Sequence, residues 1–357
     1  VIAGGGTGGH LYPGIAVARE TLRRHPSVRV SFVGTERGIE SRIVPREGFE
    51  LDVIRSAGLK GKSWWSRLRG AALVPVSLVD AWRALSRRRP QVVIGVGGYS
   101  SGPVVLTASL RGIPTVVLEQ NVVPGLTNRL LARWVRAAAV AYEETLSYFR
   151  GKGFVSGNPV RPEFLADTGA VAPDPSGVRV LVVGGSQGAR AINRAMAEAA
   201  PRFLRMTPVP ALVHQTGDRD LAMVREAYSR AGVTAQAESF LDPMAPEMVR
   251  ADLVICRAGA TTLAELAAVG KPAVLVPFPA ATDDHQRKNA AVLATAGAAV
   301  VIDERDLTGD QLASTVAALV ADRSRLESMG RTMHGFARPD AAARIVDRLE
   351  ELAGVRG

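Results

Sequence analysis

Val178-Arg179-Val180-Leu181-Val182-Val183-Gly184-Gly185-Ser186-Gln187-Gly188-Ala189-Arg190 stands in mid-chain and repeats the plan of the opening, Val1-Ile2-Ala3-Gly4-Gly5-Gly6-Thr7-Gly8-Gly9-His10. In both, a short apolar run meets a glycine-rich turn and then a helix-like stretch. Such a run, bounded by glycine, reads as a buried strand. Outward from these two anchors the pattern recurs. In the first half, strands are expected at Val1–Ala3, Val28–Val33, Val92–Gly95, Thr115–Leu118, Ala138–Ala141 and Gly153–Val155. In the second half they are expected at Val178–Val183, Pro210–Gln215, Ala235–Ser239, Leu253–Cys256, Ala273–Val276 and Ala299–Ile302. Amphipathic stretches such as Pro13–Arg24 and Thr127–Trp134 lie between strands. The alternation predicts an α/β protein of two Rossmann-like domains, each a doubly wound parallel sheet.

The break falls where Gly157-Asn158-Pro159-Val160-Arg161-Pro162 and the Pro-, Asp- and Gly-rich stretch Ala170–Gly177 interrupt the pattern. Boundaries of 1–160 and 161–337 follow, with 338–357 expected to form a helix packing back on the first domain. Two faces of this kind can close on one another, excluding water and holding two substrates in a deep cleft.

The length of 357 residues suits two domains, and 47% hydrophobic residues suffice for two cores. One cysteine, Cys256, rules out an intramolecular disulfide and fits a reducing compartment. A net charge of +10 asks for anionic partners. With only 5% aromatics and no basic stripe interleaved with them, nucleic acid ranks below a membrane surface and phosphorylated ligands. The opening has no basic n-region and no cleavage site, so it is not read as a signal peptide. It also lacks an initiator Met, and the first strand reads as cut short, so a few upstream residues are expected. Apolar runs such as Val92–Val96 fall far short of a membrane span.

Six motifs carry candidate chemistry. The loop Gly4–His10 suits a diphosphate, since glycines let the backbone approach an anion and the next helix offers amides and a positive dipole end. It lacks the Gly-Lys-Ser/Thr of a Walker A loop. His10 closes it, either as a general base or as a loop-fixing hydrogen bonder. Gly95-Val96-Gly97-Gly98-Tyr99-Ser100-Ser101-Gly102-Pro103 repeats the cradle logic with added hydroxyls, though a plain turn explains it as well. Leu118-Glu119-Gln120-Asn121 ends a strand; Glu119 either takes a proton or braces a neighbouring loop. Gly184–Arg190 is the second-half counterpart of the first loop. In Cys256-Arg257-Ala258-Gly259-Ala260-Thr261-Thr262-Leu263-Ala264-Glu265, Glu265 lies one helical turn after Thr261, placed to accept from ribose hydroxyls. Helix capping by threonine is the plainer reading there. Asp283-Asp284-His285-Gln286 could read sugar hydroxyls; its spacing is poor for a metal, and none is expected.

As a set and in this order, GGGTGGHLYPG, GVGGYSSGP, LEQN with the nearby GLTN, SGNPVR, LVVGGSQGAR, CRAGATTLAE and DDHQRKNA resemble the MurG-type N-acetylglucosaminyltransferases of glycosyltransferase family 28. The resemblance covers nearly the whole chain. It implies a GT-B fold and inverting transfer of N-acetylglucosamine from UDP-N-acetylglucosamine to lipid I, undecaprenyl-diphosphate-linked MurNAc-pentapeptide, giving lipid II without a metal or organic cofactor. Carried over by motif, the donor contacts are Thr7, Gly8, Gly9, Asn121, Arg161, Ser186, Leu241 (backbone groups to the uracil), Ala260, Thr261, Thr262, Leu263, Ala264, Glu265 (ribose) and Gln286 (sugar). Gly97, Gly98, Tyr99 and Ser100 would face the acceptor diphosphate, and His10 and Glu119 are the candidate proton acceptors. Two positions depart from the pattern. Thr261 replaces an apolar residue of many relatives, and His285 replaces a second Gln of some, which bears on sugar contact.

The resemblance also places the enzyme on the cytoplasmic face of the bacterial inner membrane. Val76, Val79, Trp82 and Arg83 share a helical spacing, with Trp64, Trp65 and several arginines nearby, as suits an anionic membrane surface. A core-facing helix with a basic end is the alternative. Competing functions are another GT-B transferase acting on a lipid acceptor such as a diacylglycerol, a UDP-sugar epimerase needing no acceptor, and a non-catalytic binding module. An NAD-dependent enzyme ranks lower, because neither loop follows the dinucleotide spacing cleanly.

Overall fold

The computed structural model describes residues 1–56, 64–166, 177–185 and 188–354, with only the backbone described for 64–72 and Thr282. The chain forms two compact units, Val1–Arg161 with Arg338–Gly357, and Pro162–Ala337.

The first unit runs β1 (Ile2–Gly4), α1 (Gly8–Arg24), β2 (Ser31–Gly34), α2 (Glu40–Arg46), β3 (Glu50–Val53), α3 (Trp64–Arg88), β4 (Val93–Gly97), α4 (Ser101–Leu110), β5 (Thr115–Glu119), α5 (Leu126–Leu131), β6 (Ala137–Val140) and β7 (Gly153–Val155). The second runs β8 (Val178–Val183), α6 (Arg190–Phe203), β9 (Pro210–Gln215), α7 (Leu221–Ala231), β10 (Ala235–Glu238), α8 (Met244–Arg250), β11 (Leu253–Cys256), α9 (Ala260–Val269), β12 (Ala273–Leu275), α10 (His285–Thr295), β13 (Ala299–Val301), α11 (Gly309–Val320) and α12 (Arg323–His334). The last helix, α13 (Ala341–Ala353), belongs to the first unit.

Both sheets are parallel, with strand orders β3-β2-β1-β4-β5-β6-β7 and β10-β9-β8-β11-β12-β13. Strands such as β4 and β11 are buried along their whole length, which is why they read as continuous apolar runs. In each sheet the order reverses once, between β1 and β4 and between β8 and β11. At such a switch point the two flanking connections leave on opposite faces and open a crevice at the carboxyl ends of the strands. The glycine motifs follow β1, β4 and β8, and Arg257–Glu265 follows β11, so all four lie at switch points.

Two elements depart from the sequence reading. β3 was not anticipated: Glu50-Leu51-Asp52-Val53 carries two acids on an edge strand, and its one buried acid, Asp52, is paired by Arg87 (2.7 Å) and Arg88 (2.6 Å) at the end of α3. β2 begins at Ser31 rather than Val28. α13 places Ile345, Val346 and Leu349 in the core that holds Leu11, Ile15 and Ala18 of α1. Arg24 reaches Asp347 at 2.5 Å, and His25 Nε2 lies 2.9 Å from Glu350.

A buried polar chain crosses the second unit beside β9. Asn193 donates through Nδ2 to Thr216 O (2.8 Å) and Asp220 Oδ2 (2.9 Å), so its Oδ1 faces His214 Nε2 at 3.0 Å as an acceptor. His214 therefore carries its proton on Nε2, and Nδ1 accepts from the Tyr228 hydroxyl at 2.8 Å. Burial lowers the His214 pKa to about 3. The folded state then refuses a proton that the unfolded chain accepts near pH 6.5. Stability is complete above about pH 6.5 and falls by roughly 1.4 kcal/mol per unit as the pH drops toward 3. Urea titrations of the second-unit transition between pH 7.5 and 5 should show this slope, and His214→Gln should flatten it. An unchanged slope in the variant would remove His214 as the cause.

Candidate active site

At the first switch point the two glycine loops pack backbone against backbone. Gly5 N donates to Gly97 O at 3.2 Å. A Cβ on Gly4 would overlap Gly97 O, and one on Gly98 would overlap Gly5 O. Glycine is required at these positions by loop-to-loop packing, so their presence is not in itself a mark of anion binding. Gly6 differs: it is exposed, at φ +84°, with nothing within 4 Å of where a Cβ would stand.

His10, in the first turn of α1, lies against Gly97, where a Cβ would come within 2.8 Å of Nδ1. Thr7 is exposed, and its carbonyl accepts from His10 N (3.2 Å) and Leu11 N (3.1 Å). Gly8 and Gly9 are half-buried in the same turn. Tyr99 is exposed, whereas Ser100 is only 1% exposed. Arg161 stands over the Tyr12 ring at 4.9 Å, which brings it beside α1.

Glu119 is 3% exposed, and both its oxygens are engaged. Oε1 accepts from Asn121 N (3.0 Å) and Asn121 Nδ2 (3.1 Å); Oε2 accepts from Gly125 N (3.0 Å) and Asn128 Nδ2 (2.9 Å). The carboxylate thus ties LEQN to GLTN. It could take a proton only by giving up one of these bonds. Between the two roles the sequence left open for Glu119, the geometry favours the brace.

In the second unit the loops after β8, β9, β10, β11 and β12 stand along one sheet edge. Ser186 lies outside the described residues. Gln215, which sequence reading passed over as a strand end, donates from Nε2 to Gly185 O (3.0 Å) and accepts from Leu241 N (3.1 Å). It links the glycine loop to the loop after β10. Leu241 is buried with its N–H taken, so its carbonyl is what it has left to offer a base.

α9 is capped by Gly259 rather than by threonine. Its first-turn amides, those of Ala260, Thr261 and Thr262, point past the helix end, a position that suits an anion. Leu263 packs into the core, Thr262 and Ala264 are half-buried, and Glu265 is 6% exposed. Burial pushes the Cys256 thiol up to about 12, and the Glu265 charge adds to the effect. The thiol stays protonated and unreactive.

Gln286 accepts from Phe278 N at 2.9 Å and so holds the loop after β12. Arg257 pins the same loop, donating to Val276 O (3.1 Å), pairing with Glu304 (2.5 Å) and standing 5.3 Å over the Phe278 ring. Asp283 and Asp284 both have positive φ, 54° and 56°, an uncommon conformation that here turns the chain into α10. Among the described residues, no three His, Cys, Asp or Glu side chains are grouped to hold a metal.

On α3, Ser77, Ala81, Ala84 and Leu85 face the core, while Val79 (50%), Trp82 (54%) and Arg83 are exposed and Val76 is half-buried. The face read from the sequence as apolar with arginines is therefore the outer one. Arg111 stands 4.5 Å over the Trp82 ring, and Leu110 beside it is exposed. The side chains of Trp64 and Trp65 lie outside the description. Among the described residues, no helix is long and apolar enough to cross a membrane.

Residues 1–140 match the glycosyltransferase family 28 N-terminal domain, and residues 179–345 match the family's C-terminal domain. The chain belongs to glycosyltransferase family 28. Within this family it is 48% identical, over 97% of its own length and 91% of the relative's, to the UDP-N-acetylglucosamine--N-acetylmuramyl-(pentapeptide) pyrophosphoryl-undecaprenol N-acetylglucosamine transferase of Myxococcus xanthus. The crystal structure of Acinetobacter baumannii MurG superposes with a TM-score of 0.79 at 30% identity, covering 98% of each chain. The family 28 chain thus has the GT-B fold of MurG. A UDP-GlcNAc 2-epimerase from Neisseria meningitidis also superposes, with a TM-score of 0.66, but at 12% identity that likeness is one of fold alone.

Proposed function

We propose that this family 28 enzyme transfers N-acetylglucosamine from UDP-N-acetylglucosamine to the MurNAc C4 hydroxyl of lipid I, giving lipid II in peptidoglycan synthesis. The observation that carries this reading is 48% identity, over 97% of the chain, to a transferase whose name states that reaction. The epimerase alternative has only a shared fold in its favour.

In the proposed division of labour, residues 1–160 take the acceptor and dock on the membrane, residues 161–337 hold the donor, and 338–357 complete the first unit. The acceptor hydroxyl attacks the anomeric carbon from the face opposite UDP. The new β-1,4 bond forms as the bond to the diphosphate breaks, and His10 takes the hydroxyl proton. Negative charge grows on the leaving diphosphate, where the amides of α9 and of the loop holding Ser186 stabilise it. Glu265 accepts from the ribose hydroxyls, the Leu241 carbonyl accepts from uracil N3–H, and Gln286 reads the sugar. Arg161, Asn121, Thr7, Gly8 and Gly9 complete the donor contacts, and Gly97–Ser100 face the acceptor diphosphate. Glu119 sets the loop that presents Asn121. Val76, Val79, Trp82 and Arg83, with Trp64 and Trp65, dock on the anionic cytoplasmic face of the inner membrane, where a lipid-linked acceptor resides.

The test is transfer of labelled N-acetylglucosamine to a short-chain lipid I analogue in the presence of chelator. A labelled lipid product is expected. UDP binding without product would move the reading to another sugar or acceptor. Glu265→Ala should weaken UDP-N-acetylglucosamine binding by about 10–100-fold, the loss of charge-assisted hydrogen bonds worth roughly 1.5–3 kcal/mol, in a folded protein. Unchanged affinity by calorimetry would remove Glu265 from the ribose site.

A further inference from the structure

The carboxylate of Glu40, the first residue of α2, lies beneath the first glycine loop and is 1% exposed. Oε2 accepts from Gly6 N at 2.7 Å; Oε1 accepts from Thr35 N at 2.9 Å and from Thr35 Oγ1 at 2.8 Å. Three glycines make the room. A Cβ on Gly5, Gly34 or Gly38 would collide with this side chain. Gly34 and Gly38 have no positive φ, so any residue could adopt their backbone. What the position requires there is the missing side chain. The Gly34-Thr35-x-x-Gly38-x-Glu40 spacing after β2 is a pocket for one carboxylate.

We propose that Glu40 is a positioning residue that sets the Gly4–Gly6 turn and, through it, the start of α1 that carries His10. Gly6 is exposed, yet its N–H is turned inward to Glu40, so it is not presented to a substrate phosphate. A fixed carboxylate under Gly5 and Gly6 also repels an anion placed over them. On the first unit, substrate phosphates are thereby confined to the Thr7–His10 turn and the Gly97–Tyr99 side. His10 rests on Gly97, and Gly97 is hydrogen-bonded to Gly5, so a displaced Gly6 peptide shifts the platform on which the imidazole lies. The kinetic consequence rests on the transferase reading; the placement of the loop does not.

Two variants test this in the intact two-unit chain. Glu40→Gln keeps the volume but turns an amide N–H toward one set of donors. Gly38→Ala leaves the carboxylate intact and pushes it out of its pocket. In the wild type, amide exchange at Gly6 should be slow despite its exposure. Both variants should speed it at least about 10-fold and loosen Thr7–Leu11, with exchange in the second unit unchanged. In the transfer assay, kcat/KM for the lipid acceptor should fall about 10–100-fold, as expected for a misplaced catalytic group, while the Kd for UDP-N-acetylglucosamine, which loses only the Thr7–Gly9 contacts and keeps those proposed for the second unit, should rise by less than about fivefold. A merely destabilised protein would not split the two substrates in this way. An unprotected Gly6 amide in the wild type, or wild-type exchange and acceptor kinetics in both folded variants, overturns the proposal. Lost protection in the variants of a protein that transfers nothing even as wild type would leave Glu40's hold on the loop standing and the transferase reading refuted.

Discussion

His10→Ala is expected to lower kcat for transfer by about 10²–10⁴, the range spanned by loss of a positioned general base. The Kd for UDP-N-acetylglucosamine should stay near wild type, because the proposed nucleotide contacts lie mainly on other elements. His10 is the remaining candidate base, because both oxygens of Glu119 are engaged. It stands in the first turn of α1, half-buried against Gly97, at the switch point of the first sheet. A histidine acting as base makes kcat fall on the acid side, and that limb should vanish in the variant. A loss of less than about threefold, or an unchanged pH profile, would leave His10 as a loop-fixing residue and send the search for the base elsewhere.

Glu119→Ala is expected to act through folding. The substitution strips the acceptor from four N–H groups: Asn121 N, Asn121 Nδ2, Gly125 N and Asn128 Nδ2. An unmet buried donor costs about 1–3 kcal/mol, so the loss should be roughly 4 kcal/mol or more unless water enters. Glu119→Gln keeps one acceptor oxygen and turns an amide toward the other two donors, so it should lose about half as much. Urea unfolding of the first unit, with amide exchange across residues 119–128, reads both effects. A Glu119→Ala protein as stable as wild type but with kcat reduced 100-fold or more would reverse the argument and make the carboxylate the base.

The pair shows where sequence reading stops. Glu119 ends a strand and His10 follows one, at the carboxyl strand ends where parallel sheets take ligands, and residue type alone allows either to accept a proton. What marks Glu119 as the brace is the saturation of both its oxygens by hydrogen bonds. That depends on Gly125 and Asn128, which share a motif set with Glu119 but acquire their meaning only when the loop closes on it. Gln215 and Glu40 were missed for a similar reason. Each is one polar residue near a strand end, and its partners, Leu241 and Gly185 in one case and Gly6 in the other, lie 26–34 positions away.

The alternation of short apolar runs with amphipathic stretches, local and periodic, was enough to specify two parallel α/β sheets. The glycine motifs, each placed directly after a strand, located the loops that the strand orders then put at switch points. The tertiary structure alone decided what the glycines are for. Gly4 and Gly98 let the two loops meet, Gly97 leaves room for His10, and Gly5, Gly34 and Gly38 make room for a carboxylate, because steric exclusion between distant parts of the chain is a property of packing and leaves no periodic trace in the chain. It likewise decided which face of α3 is outward, since the spacing of Val79, Trp82 and Arg83 names a stripe but not the side on which the core lies.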